Sequence, residues 1–256
     1  MEFVGEIAEA QRRLAECREL AERRHAVLEA LAPRRGQRVL ELGCGGGLLL
    51  REIGFALGPH GLAAGVDISP DQIRAAAAGS VGIPAVKAAV GDVRALAYPD
   101  AVFDAAVAVQ VIEYVPEVET VLAEARRVLK PGGRLLCLAT NWASAFWHGP
   151  PPDLTAHVTA LWDGHAAHPN LPARLAPLLS RAGFAAIRQL PVPVVNAEYG
   201  PHGFAYWLAR LMTAQARAEG LPAREAEAWI AALDSSDAAG EFFFSMVPIL
   251  TEATAV

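Results

Sequence analysis

From Ile7 to Leu31 the chain sets Ile7, Ala10, Leu14, Cys17, Ala21, Leu28 and Leu31 on one stripe, with charged residues between them. That spacing predicts an amphipathic helix, which Pro33 ends because proline has no amide to donate and its ring pushes the preceding residue out of helical geometry. The apolar runs that follow are short and nearly unbroken. Arg38–Leu42, Leu62–Asp67, Ala85–Val90, Val102–Val109 and Leu135–Ala139 read as strands, helical spacing fills Pro70–Ala78, and Pro116 opens a second helix whose apolar positions Val118, Val121, Leu122, Ala125, Val128 and Leu129 share a face. Pro131-Gly132-Gly133 is the expected stop for the second of these helices. Strands that alternate with helices predict a parallel sheet, since parallel neighbours need a crossover between them.

After Thr140 the pattern loosens. Residues 141–170 predict a loop with a short helix, and Leu171–Ala182 predicts a helix kinked or divided at Pro177. Phe184–Val195 reads as one strand, two amphipathic helices are expected near His202–Ala218 and Pro222–Leu233, and Phe242–Leu250 reads as the last strand. The expectation is one domain over residues 1–256, with a core of about 32–140, 171–196 and 240–251 and a helical cap made of 1–31, 141–170 and 197–238. Ligands bind at the carboxyl ends of strands in such sheets, and the later cap segments leave the sheet there.

Glu41-Leu-Gly43-Cys-Gly45-Gly46-Gly47 joins the first strand to a helix. Glycines let that turn approach a ligand closely, and the helix amides behind it favour negative charge. A dinucleotide fingerprint would need a third glycine where Leu48 stands, which argues against NAD or FAD. Asp67 closes the second strand, where a carboxylate can accept hydrogen bonds from two ribose hydroxyls. Asp92 closes the third within Gly91-Asp92-Val93, where it could take an adenine amino group.

In unbroken order over about Arg35–Thr140, VLELGCGGG, GVDIS, GDVRALAYPDAVFD and VQVIEYVPEVETVLAEARRVLKPGGRL closely resemble the class I S-adenosylmethionine-dependent methyltransferases. The nearest likeness is to the ubiquinone- and menaquinone-biosynthesis branch, methyltransferase type 11. The resemblance implies a Rossmann-like, doubly wound, mostly parallel seven-stranded sheet with an antiparallel last strand and a helical cap. It implies S-adenosylmethionine as cofactor, with Gly43 and Gly45 under the methionine portion and Glu41 ordering that end. Asp67 would bind the ribose, Ile68 would pack on adenine, Asp92 with the Val93 amide would read its polar edge, and Gln110 would face the methionine amino group. Where many relatives carry Glu-His, this chain has Glu113-Tyr114, so no histidine role transfers there.

A sulfonium already activates its methyl group, so such a protein contributes mainly alignment and exclusion of water. If the acceptor is a hydroxyl, a base helps, and His148 is the first candidate, with Tyr114 second. Trp142, Phe146, Trp147, Tyr199, Phe204, Tyr206 and Trp207 crowd the expected cap and serve equally as acceptor walls or as core. The expected activity is methyl transfer to a small, rather apolar molecule such as a quinone, phenol or natural-product intermediate. The alternative is a cyclase or rearrangement enzyme that keeps the cofactor without transferring methyl.

Composition narrows the partners. A formal net charge of -6 without a basic stripe disfavours nucleic acid. With 53% hydrophobic residues but no apolar run of membrane-spanning length, no stable membrane insertion is expected, and the start of the chain lacks the form of a secretory signal. The expected location is cytoplasmic. Cys17, Cys44 and Cys137 are far apart, and Asp163, His165 and His168 form ordinary loop chemistry, so no metal is expected. Few thiols remain for arsenite chemistry. The expected partner is a small-molecule methyl acceptor, and a monomer and a homodimer both fit.

Overall fold

The computed structural model of this chain describes residues 13–256, so the expectations for Ile7 and Ala10 lie outside the described residues. The first described helix, α1, covers Arg18–Leu31. Strand β1 (Arg38–Leu42) then lies between β2 (Leu62–Asp67) and β4 (Phe103–Val109), parallel to both. β3 (Val86–Val90) extends the sheet beyond β2, and β5 (Leu129–His148) extends it beyond β4. Helices α2 (Leu48–Leu57), α3 (Pro70–Gly79) and α4 (Val118–Val128) supply crossovers. Two later strands complete the path: β6 (Phe184–Pro191) and β8 (Phe243–Ala255) pair antiparallel, and the order is β3-β2-β1-β4-β5-β8-β6. The doubly wound, mostly parallel sheet expected from the resemblance is thus present, with a short extra strand, β7 (Val194–Asn196), pairing with β8 off that path.

Two compact units divide the chain. The sheet unit comprises residues 25–140, 170–191 and 249–256. Its core forms because the central strands are apolar on both faces: Leu40, Ala64, Ala106 and Leu135 on one and Val39, Ala63, Val107 and Leu136 on the other are essentially inaccessible to solvent. Helix α4 buries Val118, Val121, Leu122, Ala125 and Val128 at helical spacing against the same core. It stops at Val128, because Leu129 is already extended and pairs with Phe103. The pairing then jumps to Ala105 and Arg134, so Pro131-Gly132-Gly133 sits at a bulge within β5 and does not serve directly as the helix stop. Arg127 of α4 donates to the carbonyls of Tyr98 at 2.7 Å and Leu96 at 2.9 Å, which fixes the loop after β3 against the helix. α6 (Pro172–Arg181) runs through Pro177 without the expected division, with Leu175, Leu178 and Leu179 buried on one face.

The second unit comprises residues up to 24, 141–169 and 192–248. It contains α5 (Pro152–Asp163), α7 (Phe204–Ala218), α8 (Ala223–Ala238) and β7. Its core is aromatic: Trp147 packs on Phe244 at 4.3 Å and on Trp229 at 5.1 Å between ring centres, and Trp142 meets Trp162 edge-on at 5.5 Å. Trp142, Trp147, Tyr199 and Phe204 are therefore core residues, whereas Phe146 is 54% exposed. Residues 141–148, expected as loop, continue β5. Small Ala and Ser side chains hide the alternation there, and the Val247 N–H donates to Ser144 Oγ at 2.9 Å. The strand expected over 184–195 is broken between Pro191 and Val194, where Pro193 has no amide for a ladder. No helix among the described residues is long and apolar enough to cross a membrane.

Close packing beneath the first strand-to-helix turn gives a direct test. A Cβ on Gly65 of β2 would lie 2.6 Å from Leu50 Cδ2 and 2.8 Å from Cys44 Sγ, both in the core beside that turn. Gly65→Ala is expected to destabilise the protein by about 1–3 kcal/mol. Gly200→Ala, with nothing within 4 Å of the added carbon, should stay within about 0.5 kcal/mol of the parent. Urea titrations of the two variants measure this, and equal midpoints would contradict the packing described.

Candidate functional site

The carboxyl ends of β1, β2 and β4 open onto a cavity of about 560 Å³ in the sheet unit. Gly43, Gly45, Asp67, Ile68, Asp92, Val93 and Gln110 all line it, so the structure brings these sequence-selected residues together. Gln72, Arg94, Val111, Tyr114, Val115 and Pro116 complete much of the wall. A cavity of this size lies in the range that holds nucleoside-sized ligands.

The turn after β1 depends on two glycines. Gly43 has φ +65°, and a Cβ there would collide with Val111 at 2.3 Å, so no side chain fits between the turn and the end of β4. Gly45 has φ +48° and only Gln72 Oε1, at 4.0 Å, near the position of a Cβ. Its backbone therefore faces open space that a ligand can fill. The Gly45 N–H donates to Asp67 Oδ2 at 2.9 Å, and the Ser69 N–H donates to Asp67 Oδ1 at 2.9 Å. Each Asp67 oxygen retains acceptor capacity beyond that bond. Ser69 then caps α3, with Pro70 in its first turn. Ile68, between them, is 71% exposed, a large apolar side chain in the cavity wall.

Asp92 is held differently. Arg94 donates to it from Nε at 3.0–3.1 Å, from Nη2 at 2.7 Å and from its backbone N–H at 2.8 Å. The guanidinium also reaches Glu117 at 3.0 Å. Hydrogen bonds from Arg94 hold the Asp92 carboxyl below its ordinary range, so it stays ionised. Sequence reading assigned no part to Arg94, although a cation two residues after a strand-end Asp was the available signal.

Glu41 stands in β1 just before the turn, 4% exposed, and its Oε2 has no hydrogen-bond partner. Burial, and then the negative charges of Asp67 and Glu52, push its pKa well above that of an ordinary carboxyl. Gln110 directly follows β4, in the left-handed region at φ +55°. Its Nε2 donates to Glu113 Oε1 at 2.5 Å and to Thr140 Oγ1 at 2.8 Å.

Tyr114 lines the cavity and is 42% exposed. His148 does not line it. It lies at the end of β5 in the second unit, exposed, with its ring stacked on Phe146 at 6.5 Å.

Residues 40–137 match the family model described as a methyltransferase domain. An uncharacterised 37.1 kDa protein in transposon TN4556 of Streptomyces fradiae is 32% identical over 233 residues, covering 90% of this chain and 66% of that protein. Nocamycin O-methyltransferase of Saccharothrix syringae is 29% identical over 189 residues, covering 64% of this chain and 65% of that one. The chain spans just under two thirds of the length of both relatives. The crystal structure of the cyclase SpnF shares the fold, with a TM-score of 0.57 at 23% identity over 92% of this chain and 81% of that one. The motif order, the sheet order and these matches lead to one family: over residues 40–137 the chain carries a methyltransferase domain of the S-adenosylmethionine-dependent kind.

Proposed function

We propose that this chain transfers a methyl group from S-adenosylmethionine to a small, rather apolar acceptor. The observation that carries this reading is the single cavity into which Gly43, Gly45, Asp67, Ile68, Asp92, Val93 and Gln110 converge. Its chemistry fits the cofactor. Open space over Gly45 accommodates a ligand against bare backbone, and the unpartnered carboxyl of Glu41 behind the turn favours a nearby cation. Asp67 has acceptor capacity for ribose hydroxyls, Ile68 offers an apolar face to a base, and Asp92 and Val93 offer polar atoms to its edge. When bound, the cofactor supplies a methyl group already activated on a sulfonium. The chain's own residues then have to orient the acceptor and keep water out.

The remaining wall supports the apolar acceptor. Val111, Val115 and Pro116 present hydrocarbon, with the Tyr114 hydroxyl as a polar handle. A relative named as an O-methyltransferase favours an oxygen acceptor. For a hydroxyl acceptor, we infer that Tyr114, which lines the cavity, orients it; His148 is the base that the sequence favours. SpnF, a cyclase by name, shares this fold, so the deciding experiment must read the product and not only consumption of a substrate. With methyl-labelled cofactor and a panel of phenols and quinones, mass spectrometry is expected to show label on one acceptor together with S-adenosylhomocysteine. Turnover without label transfer would overturn the proposal in favour of the cyclase chemistry.

Two substitutions test the site itself. Asp67→Ala removes the acceptor for the ribose and unties the glycine turn, and should weaken S-adenosylhomocysteine binding by about 1–3 kcal/mol, roughly fivefold to 150-fold in Kd. Isothermal titration calorimetry measures it, and an unchanged Kd would remove Asp67 from the binding role.

Glu41 gives a pH signature. Its folded-state pKa is raised, so its contribution to stability is complete below the unfolded carboxyl range and is lost as pH rises through the raised value. Without ligand, Glu41→Gln should therefore be more stable than the parent at neutral pH, and the difference should shrink towards acid pH. Thermal midpoints of both proteins across that range decide it; a gap independent of pH would contradict the buried-carboxyl assignment.

A further inference from the structure

We propose that Glu113 is a positioning residue that fixes the polarity of the Gln110 amide, leaving the Gln110 carbonyl oxygen as the acceptor for the amino group of the cofactor's methionine portion. This inference rests on the cofactor reading above and adds a residue to it.

A glutamine amide has two ends of nearly equal shape and opposite hydrogen-bonding character. Unless something discriminates them, the group can turn over and present N–H where a ligand needs oxygen. Glu113 discriminates. It is fully buried in the single turn of 3-10 helix Ile112–Tyr114, which follows Gln110 closely and brings the carboxylate back against it. Glu113 Oε1 accepts the Gln110 Nε2–H at 2.5 Å and the Thr140 backbone N–H at 3.3 Å, so it meets the donor end of the Gln110 amide and not its oxygen. Thr140 is also fully buried, and its Oγ1 accepts from the same Gln110 nitrogen at 2.8 Å. Both hydrogens of the amide are thereby committed to buried partners. The side chain's remaining polar capacity is its carbonyl oxygen, in a residue that lines the cavity.

The backbone is fixed as firmly as the side chain. Gln110 holds φ +55°, which a residue with a Cβ keeps only where its surroundings over-determine it. Its N–H donates to the Leu138 carbonyl on β5 at 2.8 Å. The end of β4, the turn after it and the neighbouring strand therefore all meet at one side chain. A fully buried carboxyl group is a costly way to fill the core, and fixing a neighbour's donor–acceptor sense is something an apolar residue of the same volume cannot do.

Glu113→Gln tests this. An amide there donates as well as accepts, so Gln110 can turn over. The ligands are S-adenosylhomocysteine, which has the amino-acid portion, and methylthioadenosine, which has adenosine and sulfur without it. The variant is expected to bind S-adenosylhomocysteine about fivefold to fiftyfold more weakly, with methylthioadenosine within about twofold of the parent. Gln110→Leu should show the same selectivity, and the double variant should lose no more than the worse single one. If Glu113→Gln does not fold, Thr140→Val, which frees one amide hydrogen, should give a smaller loss of the same selectivity. Equal losses for both ligands, or none for either, would overturn the proposal by leaving Glu113 a purely structural role. Failure of the parent itself to bind S-adenosylhomocysteine would instead overturn the cofactor reading on which this rests.

Discussion

The Asp67 carboxylate is the tie on which the site depends. Accepting from Gly45 with one oxygen and from Ser69 with the other, it joins the turn after β1 to the start of α3 and so sets where two helix beginnings stand at the sheet edge. Neither turn could hold that relation by apolar packing, because the glycines have no side chains to pack. The arrangement also explains why an exposed strand end carries an acid: the carboxylate satisfies backbone donors that would otherwise face the cavity unpaired. A group already held by two amides needs little reorganisation to receive further donors.

Three carboxyls near the cavity illustrate how environment separates like groups. Glu41 is buried among other negative charges and its pKa is raised, Asp67 is bonded to backbone amides, and Asp92 is bound by a guanidinium that holds its pKa down. Cys44, in the same turn, follows the buried pattern: burial, with Glu41 and Asp67 nearby, pushes its thiol up to about 12, so it is a packing group and not a nucleophile.

How much of this was legible depends on whether the signal is local. β1, β2 and β4 declare themselves by dense apolar runs, and the turn after β1 by glycines whose positive φ few other residues adopt. The extension of β5 to His148 is not local: Ala143, Ser144 and Ala145 have weak preferences, and only pairing with another segment makes them a strand. The break before β7 is hidden in the sequence because apolar valines flank Pro193 and the missing amide counts only once a partner strand is present. Within the site, the acids could be picked out by strand-end position, whereas the grip of Arg94 on Asp92 and of Glu113 on Gln110 depends on side-chain direction. His148 is an attractive residue type at a strand end, yet chemistry of type does not fix place, and the structure sets it at the end of β5 beside Phe146.

Among the described residues, those that line the cavity fall between Gly43 and Pro116, one uninterrupted stretch of chain. The coding sequence for the site is correspondingly a single block. A substitution encoded downstream of Thr140 therefore alters none of those lining side chains, although α6, β6 and the end of β8 still belong to the sheet unit that carries the cavity.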